Sequence, residues 1–222
     1  MAKNKYNILI VDDHPIFITG LKNLLRKTNY FDKIFEASNG KEAIIVVEAE
    51  DIDIVMMDIE MEEMNGIEAT RNILSIKPDI KVITLTMFCD PKNIYEMCKS
   101  GVKGYLLKDA NSREITKAMS MILNSEDYYS PRVQSILATV YRDFDHTLPE
   151  FNQELQITKA QTDVLKLLCK QYSSEEIATE LNISAKTVHR HRQDLLDRTE
   201  SINLAGLVIY AAEHGIISLS MK

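Results

Sequence analysis

The sequence predicts two folded units: a doubly wound α/β unit with a five-stranded parallel sheet over residues 1–124, and an all-α unit over residues 154–222. A connector with one short helix joins them over residues 125–153. Three observations carry this. Apolar runs of strand length alternate with helical patterns five times in the first part, which implies a parallel sheet covered on both faces. Four of those runs end on residues suited to chemistry: Asp12 and Asp13, Asp58, Thr86, and Lys108. From Ile157 onward every apolar pattern has helical spacing.

The first strand is the run Tyr6–Val11. Pro15, after His14, suits the first turn of a helix, where an amide would have no partner anyway. Further helical patterns follow Asn39, Asn65, Asp90 and Asn111, short polar residues whose side chains can accept from a first-turn amide. Ile52–Met57 is apolar apart from Asp53 and lacks period-two alternation, as a strand buried on both faces should. Its end, Val55–Met57, and the runs Val82–Leu85 and Gly104–Leu107 supply the remaining site-bearing strands. In the connector, Ser130-Pro131 precedes an amphipathic stretch with Val133, Ile136, Leu137 and Val140. A polar tract with Asp143, Asp145 and Pro149 follows, so a short helix gives way to a loop. Such a tether lets the two units change their relative placement.

The strand ends explain the residue types. Parallel strands finish along one edge, where open α/β sheets hold ligands. Asp12, Asp13 and Asp58 gathered there repel one another unless a cation neutralises them, and a hard divalent ion such as Mg2+ fits oxygen ligands. Asp58 can then attack a phosphoryl group and form an aspartyl phosphate. The cation and Lys108 would stabilise the phosphoryl oxygens, and the Thr86 hydroxyl could bond one of them. Each residue alone has an ordinary structural use, as helix cap, surface lysine or strand threonine. Five on one edge in this order outweigh that reading.

Composition narrows the classes. The net charge of −7 argues against bulk affinity for nucleic acid. Residues 155–222, with eight basic and eight acidic side chains, are neutral, so any DNA reading must rest on local patterning. No apolar run reaches 18 residues and no signal-peptide pattern is visible, so the expectation is a cytoplasmic chain without membrane contact. Cys89, Cys98 and Cys169 lack metal-ligand spacing and read as free thiols.

The helical unit begins with Thr158–Lys170, which puts Val164, Leu165 and Leu168 on one face. Ser173 and Glu176 form a capping box for a helix running to Leu181. Asn182-Ile183-Ser184 makes a turn, and Ser184 can cap the next helix, Ala185–Asp197. Two short helices joined this way suggest a helix-turn-helix. On the second helix Val188 and Leu195 face the core, while Lys186, His189, Arg190 and Gln193 face away. No acid interrupts Leu181–Gln193, so this helix can offer donors to double-stranded DNA in the major groove. His191 flanks the apolar face and reads as packed. The last helix, about Asn203–Glu213, carries Leu204, Leu207, Val208 and Ala211 at helical spacing, with Gly215 as its stop.

The stretches ILIVDDHP (Ile8–Pro15), MDIEMEEMNG (Met57–Gly66), LTM (Leu85–Met87) and KGYLLKD (Lys103–Asp109) resemble response-regulator receiver domains, which have a flavodoxin-like fold. Ile157–Ile217, above all EEIATELNISAKTVHRHR and AAEHGII, resembles LuxR-type DNA-binding domains. The whole chain thus resembles a NarL/FixJ-type regulator of a two-component system. The resemblance implies transcriptional control through phosphoryl transfer from a sensor histidine kinase to Asp58, without enzymatic activity beyond its own phosphorylation and dephosphorylation. It implies Mg2+ held by Asp12, Asp13, Asp58 and the backbone carbonyl of Glu60, with Tyr105 responding to Thr86. For DNA it implies base contacts by His189, Arg190 and Gln193, phosphate contacts by Lys186, Thr187 and Arg192, and a phosphorylation-driven homodimer through the last helix. Four departures are visible: Glu62 for a proline after the nucleophile, Ala160-Gln161 for Arg-Glu, Gln171-Tyr172 without a glycine, and Thr199-Glu200 for Leu-Gly. Two other classes compete. A phosphohydrolase would want an acid/base aspartate two residues beyond Asp58, where Glu60 stands instead, and a cap domain that the sequence does not provide. A phosphorylation-gated protein binder would fit the neutral charge of the last third.

Overall fold

A computed structural model describes residues 5–87, 90–144 and 157–217. The first unit runs β1 (Tyr6–Val11), α1 (Pro15–Arg26), β2 (Phe31–Ala37), α2 (Gly40–Ala49), β3 (Ile54–Met57), α3 (Gly66–Ile76), β4 (Lys81–Thr86), α4 (Pro91–Lys99), β5 (Gly104–Leu107) and α5 (Ser112–Leu123). Short polar caps start the helices: Asn39, Asn65, Asp90 and Asn111 each accept from a first-turn amide. His14 stands before Pro15 without such a bond.

The strands form one parallel sheet in the order β2-β1-β3-β4-β5-β6. The sixth strand, β6 (Tyr128–Tyr129), corrects the five-strand expectation. It pairs with β5 through Gly104 opposite Tyr128 and Tyr105 opposite Tyr129. Two residues carry no readable period, so the edge strand was absorbed into the connector. The helix after it, α6 (Pro131–Phe144), has 14 residues and is not short. Asp143, expected in the polar tract, belongs to α6, whereas Asp145 and Pro149 lie outside the described residues, as does Cys89.

Alternate residues of the central strands feed two apolar layers, because successive strand side chains point to opposite faces. Ile8, Ile10, Ile54 and Met56 pack with α1 and α5 residues such as Leu21, Leu25 and Ile122. Leu9, Val11, Val55 and Met57 pack with Ala43, Val47, Ala69 and Ile73 on the other face.

The helical unit comprises α7 (Lys159–Leu168), α8 (Ser174–Leu181), α9 (Ala185–Arg198) and α10 (Leu204–Glu213). The Ser173–Glu176 capping box is formed, and Thr158 with Gln161 makes a second one that opens α7. Gln161, where the resembled family has Glu, therefore keeps the cap. Val164, Leu165, Leu168, Val188 and Leu195 are buried together. Helix α6 packs against α4 on one side and α10 on the other, and one apolar cluster runs from the second sheet face through Val133 and Leu137 into Leu204, Leu207 and Val208. No helix among the described residues is long and apolar enough to cross a membrane.

Candidate functional site

The parallel strands deliver their terminal residues to one edge. Asp12 follows β1, Asp58 follows β3, Thr86 ends β4 and Lys108 follows β5. The backbone fixes their spacing: the Asp12 amide donates to the Ala37 carbonyl at 3.1 Å, Asp58 to Val11 at 2.9 Å, and Lys108 to Thr86 at 2.8 Å. Gly66 lets the first turn of α3 approach the Asp58 backbone, since a Cβ there would lie 1.9 Å from the Asp58 carbonyl oxygen.

The side chains meet as the strand ends require. Lys108 Nζ lies 2.6 Å from Asp12 Oδ2 and 2.7 Å from Asp58 Oδ2, and all three side chains are buried. Phe17 backs the ammonium, its ring centroid 5.0 Å from Nζ. Asp58 Oδ1 accepts from the Ile59 amide at 2.7 Å. Burial raises the Asp58 carboxyl above its ordinary range against the pull of Lys108, and the Asp12 charge pushes the same way as burial. Burial opposes the charge on Lys108, but its bonds to Asp12 and Asp58 outweigh that and raise its pKa.

Asp13 stands at the rim beside His14, whose Nδ1 is 2.6 Å from Asp13 Oδ1 and 3.1 Å from Asp12 Oδ1. Ligand atoms of Asp12, Asp13, His14 and Asp58 lie within 4.8 Å of one another, a donor set that fits a cation. His14 was not expected there; its place beside the two aspartates becomes visible only when the chain turns into α1. Asp13, Glu60, Glu62 and Asn93 line an open cavity over this cluster. Glu62 thus brings a carboxylate to the cavity where the resembled family has proline, and Asn93 is a lining residue that sequence reasoning missed. Thr86 is buried at the same edge, and the Tyr105 ring is enclosed in the core one strand away.

The helix-turn-helix forms where its signals stand. Asn182 ends α8 in the left-handed region at φ 52°, and Ser184 Oγ accepts from the Thr187 amide at 3.1 Å to start α9. Lys186, His189, Arg190 and Gln193 are exposed on α9, and Thr187 is half-buried beside Ser184. His191 is half-buried, with Nδ1 buried. Arg192 differs from the other expected DNA contacts. Its side chain is 8% exposed and its guanidinium lies 3.1 Å from Asp127 Oδ2 of the first unit, so this arrangement turns it toward a carboxylate. A helical wheel places residues relative to their own domain and cannot foresee a second one.

Residues 8–120 match the family model for the response regulator receiver domain, and residues 155–211 match that for bacterial regulatory proteins of the luxR family. The chain is 32% identical over 210 residues to the response regulator protein VraR of Staphylococcus aureus, covering 95% of this chain and 98% of that one. It is 29% identical over 229 residues to the transcriptional regulatory protein DegU of Brevibacillus brevis, covering 98% and 97%. Among solved structures, the RcsB response regulator of Salmonella typhimurium, studied for conformational dynamism in DNA interaction, matches with TM-score 0.58. That match has 22% identity and covers 95% of this chain and 99% of that one, a likeness of fold.

Proposed function

The chain belongs to the two-component response regulators that join a receiver to a LuxR-type DNA-binding domain, and from this premise we propose that phosphorylation of Asp58 controls its binding to DNA. The observation that carries the proposal is the buried Asp58 carboxylate held 2.7 Å from Lys108, beside Asp12 and Asp13. A sensor histidine kinase is the phosphoryl donor. Asp58 Oδ attacks phosphorus, the bond to the donor nitrogen breaks, and Lys108 accompanies the charge that moves onto the phosphoryl oxygens.

Asp12, Asp13 and Asp58, with the Glu60 carbonyl, would hold Mg2+, which when bound neutralises charge between carboxylate and phosphoryl oxygens. Asp13 would serve as a ligand from the rim, and Asp12 would help to hold the ion from its buried position beside Lys108. Phe17 and the two carboxylates keep the Lys108 ammonium in place before phosphate arrives. Thr86 donates to the arriving phosphoryl group, and the space it leaves lets Tyr105 turn, changing the face formed by α4 and β5. Phosphorylation then favours a homodimer whose two α9 helices read paired half-sites. His189, Arg190 and Gln193 meet base edges, and Lys186 and Thr187 meet phosphates. Arg192 joins them only if it leaves Asp127. The work is in the cytoplasm, in keeping with the free thiols Cys98 and Cys169.

Asp58→Asn keeps the side-chain shape and removes the attacking oxygen. With Mg2+ and acetyl phosphate, intact mass should show one phosphoryl adduct on the wild type and none on the variant. Equal adducts on both would remove Asp58 as the acceptor.

A further inference from the structure

His14 is turned over the acidic edge and not into the helix that it precedes. It stands at the cap position of α1 without a side-chain cap bond, and Pro15 after it removes one of the amides that a cap would serve. Its own amide donates to Asp12 Oδ1 at 2.9 Å. Its Nδ1 lies 3.1 Å from that same oxygen and 2.6 Å from Asp13 Oδ1. Ionised carboxylates only accept, so Nδ1 faces them with a proton, in the position from which a cation would bridge the two aspartates. Lys108 takes the other Asp12 oxygen at 2.6 Å. Asp12 thus divides its oxygens, Oδ2 toward the phosphoryl machinery and Oδ1 toward the imidazole. The His14 side chain is 67% exposed, so it is no packed core histidine, and an ion can reach it from solvent.

We propose that His14 is a nitrogen ligand in the cation site, which gives this receiver a preference for divalent transition ions that accept imidazole, such as Co2+, over Mg2+. The inference rests on the reading of the acidic edge as a cation site and adds a donor to it. Its support is the convergence of a ring nitrogen with carboxylate oxygens of Asp12, Asp13 and Asp58, all within 4.8 Å of one another. Three of these four ligands are consecutive, because the chain turns from β1 into α1 there and the bond from the His14 amide to Asp12 fixes the turn.

The chemistry of the donors sets the preference. Mg2+ takes carboxylates, keeps several waters and gains little from a nitrogen. Ions later in the first transition row bind imidazole far better. On binding, the Nδ1 proton passes through water to Nε2 of the exposed ring, and the Nδ1 lone pair bonds the ion, so the imidazole stays neutral. Asp13 Oδ1 gives up its bond to Nδ1 and turns to the same ion.

The test titrates the full chain with Mg2+ and with Co2+ by calorimetry, in wild type and in His14→Ala. Because His14 makes no cap bond, α1 should survive the change, which circular dichroism checks. His14→Ala should weaken Co2+ binding at least about tenfold and Mg2+ binding by less than about threefold. Asp13→Asn should weaken both ions, which ties the measured site to the acidic edge. Proton magnetic resonance of the Co2+-loaded wild type should show the far-shifted, exchangeable N–H signal of a coordinated imidazole, and His14→Ala should lose it. Equal losses for both ions, no loss for Co2+, or a Co2+ form without that signal would overturn the proposal. So would Co2+ binding that ignores Asp13→Asn. Mg2+ binding without these Co2+ effects leaves the cation site standing and removes only His14 from it. If neither ion binds the wild type, the cation reading of Asp12, Asp13 and Asp58 falls as well.

Discussion

Single residues set the chemistry. Asp58 is a buried carboxylate whose pKa is raised by burial, and Lys108 beside it offsets part of that cost. Its position depends on a residue with no side chain. A Cβ at Gly66 would strike the Asp58 carbonyl oxygen, and because that atom is backbone the α3 start or the β3 end must shift. Gly66→Ala should cost about 1–3 kcal/mol of stability and slow phosphorylation of Asp58, measurable by chemical denaturation and by intact mass over time. On α9 the proposed DNA contacts divide into base and phosphate readers. Arg190→Ala should cost about 1–3 kcal/mol on a selected site and flatten its sequence preference. Lys186→Ala should weaken all duplexes alike and lower the salt slope by about one unit, measured across a salt series.

Elements show how the chain tolerates departures from its family pattern. Gln171 and Glu200 occupy positions where the resembled family has glycine, and both have positive φ, 62° and 53°. At the end of α9 the Ser201 amide bonds the Leu196 carbonyl, the closing bond of a helix stop that places Glu200 in the left-handed region. For a side chain bearing a Cβ that region costs roughly 1–2 kcal/mol. Glu200→Gly should therefore raise stability by about 1 kcal/mol, less glycine's entropic cost, read as a higher thermal midpoint. Gln171 repays its strain differently, by accepting from the Tyr129 amide and from Lys117. Much of this scale was legible in advance. Asn39, Asn65, Asp90, Asn111, Ser173 and Ser184 announce helix starts because capping is local chemistry. β6 was not legible, since its pairing with β5 is tertiary and its two residues repeat nothing.

At the scale of the whole molecule, the meeting of Asp12, Asp13, Asp58, Thr86 and Lys108 at one edge could be read in advance because parallel strands must end together. The docking of the two units could not. Glu126 and Asp127 look like ordinary connector acids, and only the fold brings them to Ser174, Leu204 and Arg192. The central claim is that phosphorylation of Asp58 governs DNA binding. Its most direct test is the affinity of the full-length chain for a selected duplex, measured with and without acetyl phosphate and Mg2+, in wild type and in Asp58→Asn. Acetyl phosphate should tighten binding by the wild type at least about fivefold and leave Asp58→Asn unchanged. Equal affinity under all four conditions, or an equal gain in the variant, would contradict the account.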